Sequence, residues 1–255
     1  MAVLAQLSDP HLDVAAGGSG SVPALAAAVR AVLALRPPPH AVLVSGDLVE
    51  QGGREAYERV RELLGALPMP VHVLPGNHDD RDTMRACFDA TGAAGGRGGP
   101  FRYAAWCGDL RLIACDTTQP GRADGRLDAP ALAWLEEQLA AEPAAPTIVA
   151  MHHPPLLTGI TAFDEIGLPA GDRAALGELL ARSPQVRRVI AGHVHRAATG
   201  VLGGCAVVTC PSTYLQARLE IGATELVLEP APPAFALHAG LDDGTVVSHV
   251  QPIVG

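Results

Sequence analysis

The chain has 255 residues, 48% of them hydrophobic and only 4% aromatic, with a formal net charge of −9. That length buries a substantial core, in one large domain or a domain with a small appendage. Scarce aromatics argue against a stacking platform for single-stranded nucleic acid, and the acidic balance against a grip on long polyanions; a small phosphate ester held by metal ions stays open.

Short runs rich in Val, Ile and Leu alternate with stretches of helical period. Ala2–Leu7 reads as a buried strand, Val22–Leu35 as a helix and His40–Val44 as the next strand. In the helix predicted over Arg54–Leu67, Glu55, Glu58, Arg59, Arg61 and Glu62 make the solvated face, and Val60, Leu63, Leu64 and Leu67 the apolar stripe. Val71–Leu74 reads as a strand, Arg81 and Arg85 fall on a predicted following helix, and Gly92–Pro100 reads as a glycine-rich loop expected to be mobile. Phe101–Trp106 and Leu110–Cys115 read as an antiparallel pair. Then come a helix at Pro130–Ala141, a strand at Thr147–Ala150, the irregular stretch Leu156–Asp172, a helix at Asp172–Arg182 and a strand at Val189–Ala191. The irregular stretch has the length of a lid or partner-contact loop. After Ala197 only strands are predicted, at Gly204–Thr209, Thr224–Leu228, Phe235–Ala239 and Val246–Val250. The opening alternation implies right-handed crossovers and a largely parallel sheet covered by helices. Trp106 and Trp134 read as core.

All 18 basic residues are arginine, a compositional bias. The five cysteines, Cys87, Cys107, Cys115, Cys205 and Cys210, form no C-x-x-C pair and read as buried thiols of a reducing compartment. Met1–Leu7 lacks the basic region and apolar length of a signal peptide, and no apolar run approaches a membrane span. The expectation is a cytoplasmic protein with no membrane partner.

Five polar clusters each follow directly on a predicted buried strand: Ser8-Asp9-Pro10-His11, Gly46-Asp47, Gly76-Asn77-His78-Asp79, His152-His153-Pro154 and Gly192-His193-Val194-His195. Any one alone would be weak, since turns after strands hold Gly, Asp and Asn for backbone reasons. Strand carboxyl ends form the ligand edge of an open α/β sheet, so all five can converge there. Together they offer oxygen and imidazole donors that suit Mn, Fe, Zn or Co. Asp9 with His11, and His193 with His195, can each point at one metal; the Asp47 carboxylate can bridge two, and Asn77 offers a neutral oxygen.

These motifs, D-x-H, G-D, G-N-H-D, H-x-P and G-H-x-H in that order across residues 9 to 195, resemble the calcineurin-like metallophosphoesterase superfamily. Within it the chain is similar to class III cyclic nucleotide phosphodiesterases and bacterial glycerophosphodiesterases. That flavour comes from Ser8–Leu12, Gly76–Asp82, His152–Pro155, Phe163–Leu168, Cys210–Thr213 and Pro232–His238. The resemblance implies a four-layer α/β/β/α sandwich of two mixed sheets, with residues 1–200 as the catalytic core and 201–255 completing the second sheet and offering an oligomer contact. It implies two divalent or trivalent metal ions, one held by Asp9, His11, Asp47 and His195, the other by Asp47, Asn77, His152 and His193. His78 and Asp79 would be catalytic, and Asn77, His78, His195 and Arg81 would meet the substrate. A metal pair ~3.5–4 Å apart activates a water for attack on phosphorus, so the expected reaction is hydrolysis of small phosphodiesters such as 3′,5′-cyclic nucleotides or glycerophosphodiesters. A phosphomonoesterase on the same site and a non-catalytic metal-binding scaffold are the alternatives. The partners expected are a small phosphate ester and other copies of the chain, with no long nucleic acid.

Blander readings apply elsewhere. His40, His72, His238 and His249 read as ordinary core or surface residues, and His153 as pocket wall or a support to the ligands. Asp79 fixes a histidine ring or caps the helix near Asp80; Asp116 and Asp124 read as loop carboxylates.

Overall fold

Strands whose alternate residues are all apolar need cover on both faces, and this fold supplies it with four layers. The computed structural model of the chain describes residues 1–14, 20–88 and 99–254. In chain order the elements are β1 (Ala2–Leu7), α1 (Ser21–Ala34), β2 (Ala41–Ser45), α2 (Arg54–Leu64), β3 (Val71–Leu74), α3 (Arg81–Phe88), β4 (Tyr103–Cys107) and β5 (Leu110–Ala114). They continue with α4 (Ala129–Ala141), β6 (Thr147–Ala150), α5 (Thr161–Glu165), α6 (Ala170–Ala181), β7 (Val186–Ala191), β8 (Thr199–Leu202) and β9 (Cys205–Thr209). β10 (Gln216–Ala217), β11 (Leu228–Glu229), β12 (Ala234–Gly240) and β13 (Val246–Pro252) complete the chain.

One sheet has the order β13-β12-β1-β2-β3, with β1, β2 and β3 parallel and β12 antiparallel to β1. The other has the order β4-β5-β6-β7-β9-β8; β5, β6, β7 and β9 run parallel, and β4 and β8 are antiparallel edges. Three apolar clusters separate the layers. Ala5, Leu7, Val42, Val44 and Val73 pack under α1, α2 and α3. Their strand neighbours Leu4, Leu43 and Leu74 face the second sheet, meeting Leu112, Ile148 and Ile190. On the far side Ile113, Val149 and Val189 pack under α4 and α6. The two-residue period of a strand thus sorts one continuous apolar run into two interfaces.

Local signals set the helices. Asp128 accepts the Ala131 N–H at 2.9 Å and Pro130 occupies the first turn of α4, a side-chain cap with a pre-set φ. α2 buries Tyr57, Val60 and Leu64 and keeps its charges outside.

The C-terminal strands differ from expectation. Rather than completing only the second sheet, the segment from 201 divides: β8 and β9 close the second sheet, while β12 and β13 extend the first. Thr224–Leu228 is not a strand; its side chains have no core face, and only Leu228–Glu229 pairs with Gln216–Ala217. Trp106 is 52% exposed, because it points outward from edge strand β4; Trp134, on α4, is half-buried against the core beneath that helix. Leu156–Asp172 holds α5 and the start of α6. Residues 92–98 of the glycine-rich loop lie outside the described residues. No helix among the described residues is long and apolar enough to cross a membrane.

A buried histidine sits between the layers. His238 on β12 is fully buried, with Ser248 Oγ 2.8 Å from Nδ1 and Gln6 Oε1 2.9 Å from Nε2. Burial holds it neutral, with a pKa down at about 3. The unfolded chain therefore binds a proton at this ring that the folded one refuses, so stability present above pH 6.5 is lost as pH falls toward 3. Thermal melts should drop steadily across that window, and His238→Gln should flatten the slope; an unchanged slope would contradict a neutral buried ring.

Candidate metal centre

The five polar clusters all leave the carboxyl ends of parallel strands, three on the first sheet (after β1, β2 and β3) and two on the second (after β6 and β7). The two sets meet across the seam between sheets. The His193 N–H donates to Asp9 Oδ1 at 3.1 Å, and His152 Nδ1 lies 2.9 Å from the Ser45 carbonyl. Among the described residues, the non-glycine residues with positive φ are Asp9 (49°), His11 (43°), Asp47 (49°), His193 (70°) and His195 (49°). All five belong to the predicted ligand set. Left-handed backbone at such residues costs of order 1–3 kcal/mol each, and its concentration here marks a site that the surrounding structure over-determines. The third loop comes equally close: a Cβ on Gly76 would lie 2.1 Å from Asp47 Oδ1 and 2.3 Å from the Asp47 nitrogen, so only glycine fits. The run Cys210–Thr213 buttresses the first loop, Ser212 Oγ donating to the Asp9 carbonyl at 2.7 Å and the Thr213 N–H to the Ser8 carbonyl at 3.0 Å.

Ligand atoms of Asp9, His11, Asp47 and His195 lie within 4.8 Å of one another, all in buried residues. Nε2 of His11 and His195 are 3.0 Å apart, and Asp9 Oδ1 is 3.6 Å from His195 Nε2. The second group adjoins it through Asp47: its Oδ2 is 3.5 Å from His11 Nε2 and 3.4 Å from His152 Nε2, which is 3.2 Å from Asn77 Oδ1. Asp47 Oδ1 is turned away to accept the His78 N–H at 2.9 Å. One oxygen of one carboxylate therefore stands between both groups. His193 brings a buried Nε2 without a hydrogen-bond partner, its ring 5.1 Å from that of His152.

Proton placement shows that these donors fit metal ions. His11 Nδ1 donates to Glu50 Oε2 (2.7 Å), His152 Nδ1 to the Ser45 carbonyl (2.9 Å) and His195 Nδ1 to the Leu215 carbonyl (2.8 Å). An acceptor on each Nδ1 leaves an Nε2 lone pair aimed inward, the usual support for a ligating imidazole. Burial, then the neighbouring His153 and His152, push the His193 pKa well below its ordinary value, and burial lowers that of His195. Burial alone would raise the Asp47 pKa, but the His152 and His11 rings override it and hold the carboxyl well below its usual range. Conversely, burial opposes charge on His152, yet Asp47 lifts its pKa to about 9. The neutral His193 and His195 rings, one nitrogen unsatisfied, and the ionised Asp47 around a common space fit a dinuclear metal centre; the His11 and His152 rings, drawn against burial toward the protonated form by neighbouring carboxylates, would give up that proton to a metal.

Other predicted site residues take different places. His78 is exposed beside His11, and its Nδ1–H donates to the Glu50 carbonyl at 3.1 Å, which leaves Nε2 for a substrate. Asp79 holds neither a histidine ring nor the helix cap. Its carboxylate accepts the N–H groups of Gly76 (2.8 Å) and Leu48 (3.1 Å) and the Tyr57 hydroxyl (3.0 Å), tying the second loop to the third. Burial and the Asp47 charge keep its pKa up at about 6. Asp80 is the cap, accepting the Thr83 N–H at 2.8 Å. Arg81 is engaged by Asp116, 2.8 Å from Nε, and by Thr118. Asp116 is thus a buried hub rather than a loop carboxylate, accepting also from the backbone of Phe101 and Thr118. His153 has both ring nitrogens engaged, by Thr117 Oγ1 and the Ala123 carbonyl, and its ring packs 4.6 Å from that of His193. Glu50 was missed from sequence; nothing in Leu48-Val49-Glu50 distinguishes a carboxylate that turns back on His11 from one in solvent.

A cavity of about 450 Å³ opens beside this centre, lined by Asn77, His78, Arg81, Thr118, Gln119 and Gly121 among others. It lies within the size range of small-molecule sites.

Comparison with known proteins agrees with this geometry. Residues 2–197 match the calcineurin-like phosphoesterase family. A probable cyclic nucleotide phosphodiesterase of Synechococcus sp. is 37% identical, over 89% of this chain and 88% of its own length. The glycerophosphodiester phosphodiesterase GpdQ of Enterobacter lignolyticus is 34% identical, over 92% and 86%. Among solved structures, a dimetal phosphatase from Danio rerio shares the fold, with a TM-score of 0.70 at 15% identity, over 99% of this chain and 96% of that one. With some three-quarters of its length matched and its five motif loops gathered at one edge, the chain belongs to the calcineurin-like phosphoesterase family.

Proposed function

We propose that the protein hydrolyses small phosphodiesters, of the 3′,5′-cyclic nucleotide or glycerophosphodiester kind, at a centre of two ions of the Mn, Fe, Zn or Co class. Asp9, His11, Asp47 and His195 would hold one ion, and Asp47, Asn77, His152 and His193 the other. The observation that carries this reading is the single Asp47 oxygen between His11 and His152, beside an open cavity. The names of the two relatives support the substrate class. Exposed Leu219, Ile221 and Leu226 support a contact between copies of the chain, and five buried free thiols support a cytoplasmic setting.

When bound, the ions supply Lewis-acid chemistry, lowering the pKa of a water and polarising a phosphoryl oxygen. The protein does the rest. Asn77 and His78 stand at the cavity wall where the phosphoryl group would sit. The Glu50 carbonyl fixes the His78 ring through Nδ1–H, which turns Nε2 to the cavity; in the doubly protonated form of the ring the Nε2–H would hydrogen-bond a phosphoryl oxygen or pass to the departing alkoxide, leaving the neutral imidazole. Apart from the ions, the described residues of the cavity wall offer no unpaired arginine for a second phosphate charge, which suits a diester. A monoester phosphate carries about two negative charges at neutral pH, and the arginine on this cavity wall is already neutralised by Asp116.

In the presence of Mn²⁺, a bis-aryl phosphate should turn over faster than the mono-aryl phosphate, and cyclic AMP or a glycerophosphodiester should be hydrolysed. A clear preference for the monoester would displace the diester reading. His78→Ala should retain both metals by elemental analysis while kcat falls ~10²–10⁴-fold. Loss of a metal in that variant would instead make His78 a ligand.

A further inference from the structure

Asp9 does not stand alone in its loop. A file of buried polar side chains runs to it from the C-terminal hairpin: Ser248, His238, Gln6, Ser45, Ser8, Asp9. The links are Ser248 Oγ to His238 Nδ1 (2.8 Å), His238 Nε2 to Gln6 Oε1 (2.9 Å), Gln6 Nε2 to Ser45 Oγ (2.8 Å), Ser45 Oγ to Ser8 Oγ (2.8 Å) and Ser8 Oγ to Asp9 Oδ2 (2.5 Å). Gln6, Ser8, Ser45 and His238 are completely buried, and Ser248 is half-buried. The residues belong to β13, β12, β1 and β2 and the loop after β1. They line the otherwise apolar seam between the sheets, beside Leu4, Leu43 and Ile190.

The direction of each bond follows from its partners. Gln6 Nε2 also lies 3.1 Å from the Ala191 carbonyl, which only accepts, so the amide nitrogen must face it and the amide oxygen must face His238. That oxygen requires an N–H on His238 Nε2, and the neutral ring then accepts the Ser248 proton at Nδ1. Ser45 Oγ receives the Gln6 N–H and sends its own proton to Ser8 at 2.8 Å, the nearer of two acceptors, the Leu7 carbonyl lying at 3.3 Å. The carboxylate at the end only accepts, so the Ser8 proton goes to Asp9 Oδ2. All donors therefore point toward Asp9. The His193 N–H spans both carboxylate oxygens at 3.1 and 3.2 Å, and with Ser8 on Oδ2 it is Oδ1 that is turned to His195. Space is held open for the file, because a Cβ on Gly192 would lie 2.2 Å from Ser8 Oγ.

We infer that this file is a positioning device: it fixes the rotamer of Asp9, and the hairpin of β12 and β13 thereby tunes the affinity of the ion that Asp9 holds. The mechanism above leaves the side chains of Gln6, Ser8, Ser45 and His238 without a task. An apolar seam would be the cheaper construction if they had none, since a polar network inside a core is stabilising only when every member is satisfied. Ser45 serves twice, its carbonyl also orienting His152.

The inference rests on the metal-centre reading, and the experiment separates the two. The full chain, stripped of metal, is titrated with Mn²⁺ and the stoichiometry and affinities are measured. Ser8→Ala should weaken one of two ions ~10–100-fold, the range for a lost supporting partner, and leave the other near its wild-type value. His238→Phe, remote from the ion, should weaken the same ion several-fold, and His238→Gln, which keeps an N–H for Gln6, should restore it. Leu139→Ala, a cavity in the outer helical layer, should lower thermal stability with no change in Mn²⁺ affinity. If the wild type binds two ions and Ser8→Ala and His238→Phe bind them equally well, the inference is overturned while the centre survives. If the wild type binds no Mn²⁺, the centre itself is wrong. Should His238→Phe fail to fold, Ser8→Ala decides alone.

Discussion

The arrangement depends on one oxygen. Asp47 Oδ2 lies between His11, which follows β1 of the first sheet, and His152, which follows β6 of the second. Its companion oxygen is fixed by the His78 amide, so the carboxylate cannot rotate to serve one side only. Two sheets that carried these loops could pack in many registers on apolar contacts alone. A buried charge tolerates far fewer, because an ionised carboxylate away from water needs its partners in place. The polar seam thus selects one packing from the set that the hydrophobic layers allow.

Around that oxygen the protein uses backbone more than side chain for orientation. The Ser45, Leu215 and Glu50 carbonyls each hold the Nδ1 of a ring, and the His193 and His78 amides each hold a carboxylate. Backbone partners are rigid and persist through most substitutions. The exceptions are Glu50 on His11, Asp79 under the second and third loops, and the Ser8 file on Asp9. At those points the support is itself a side chain, and so adjustable.

Much of this was legible in the sequence, for a physical reason. Strands such as Ala41–Ser45 and Thr147–Ala150 are buried on both faces, so their apolar runs end abruptly where the chain leaves the sheet, and the next residues must lie at its edge. Asp9, Asp47, Asn77, His152, His193 and His195 could be placed that way. What could not be read were pairings across space. Nothing local to Glu50 indicates that it reaches His11, and His238 looks like any polar residue in a strand until β12 is known to lie against β1. Asp79 had two sensible local roles and took a third, because Tyr57 and the loop after β2 arrive from elsewhere. The tail was misplaced for the same cause: period-two patterning marks β12 and β13 as strands but does not say which sheet has a free edge.

The left-handed residues carry a consequence for what the site can become. At Asp9, His11, Asp47, His193 and His195 the main chain admits only residues that accept that conformation: glycine readily, and Asn, Asp or His at modest cost. Valine, isoleucine and threonine are barred by shape before their chemistry matters. The protein is therefore confined to a small alphabet of short polar donors at five of the seven proposed ligand positions. Exchanges within it, aspartate for asparagine or histidine for aspartate, could shift the balance between hard and borderline cations over evolutionary time without rebuilding a loop.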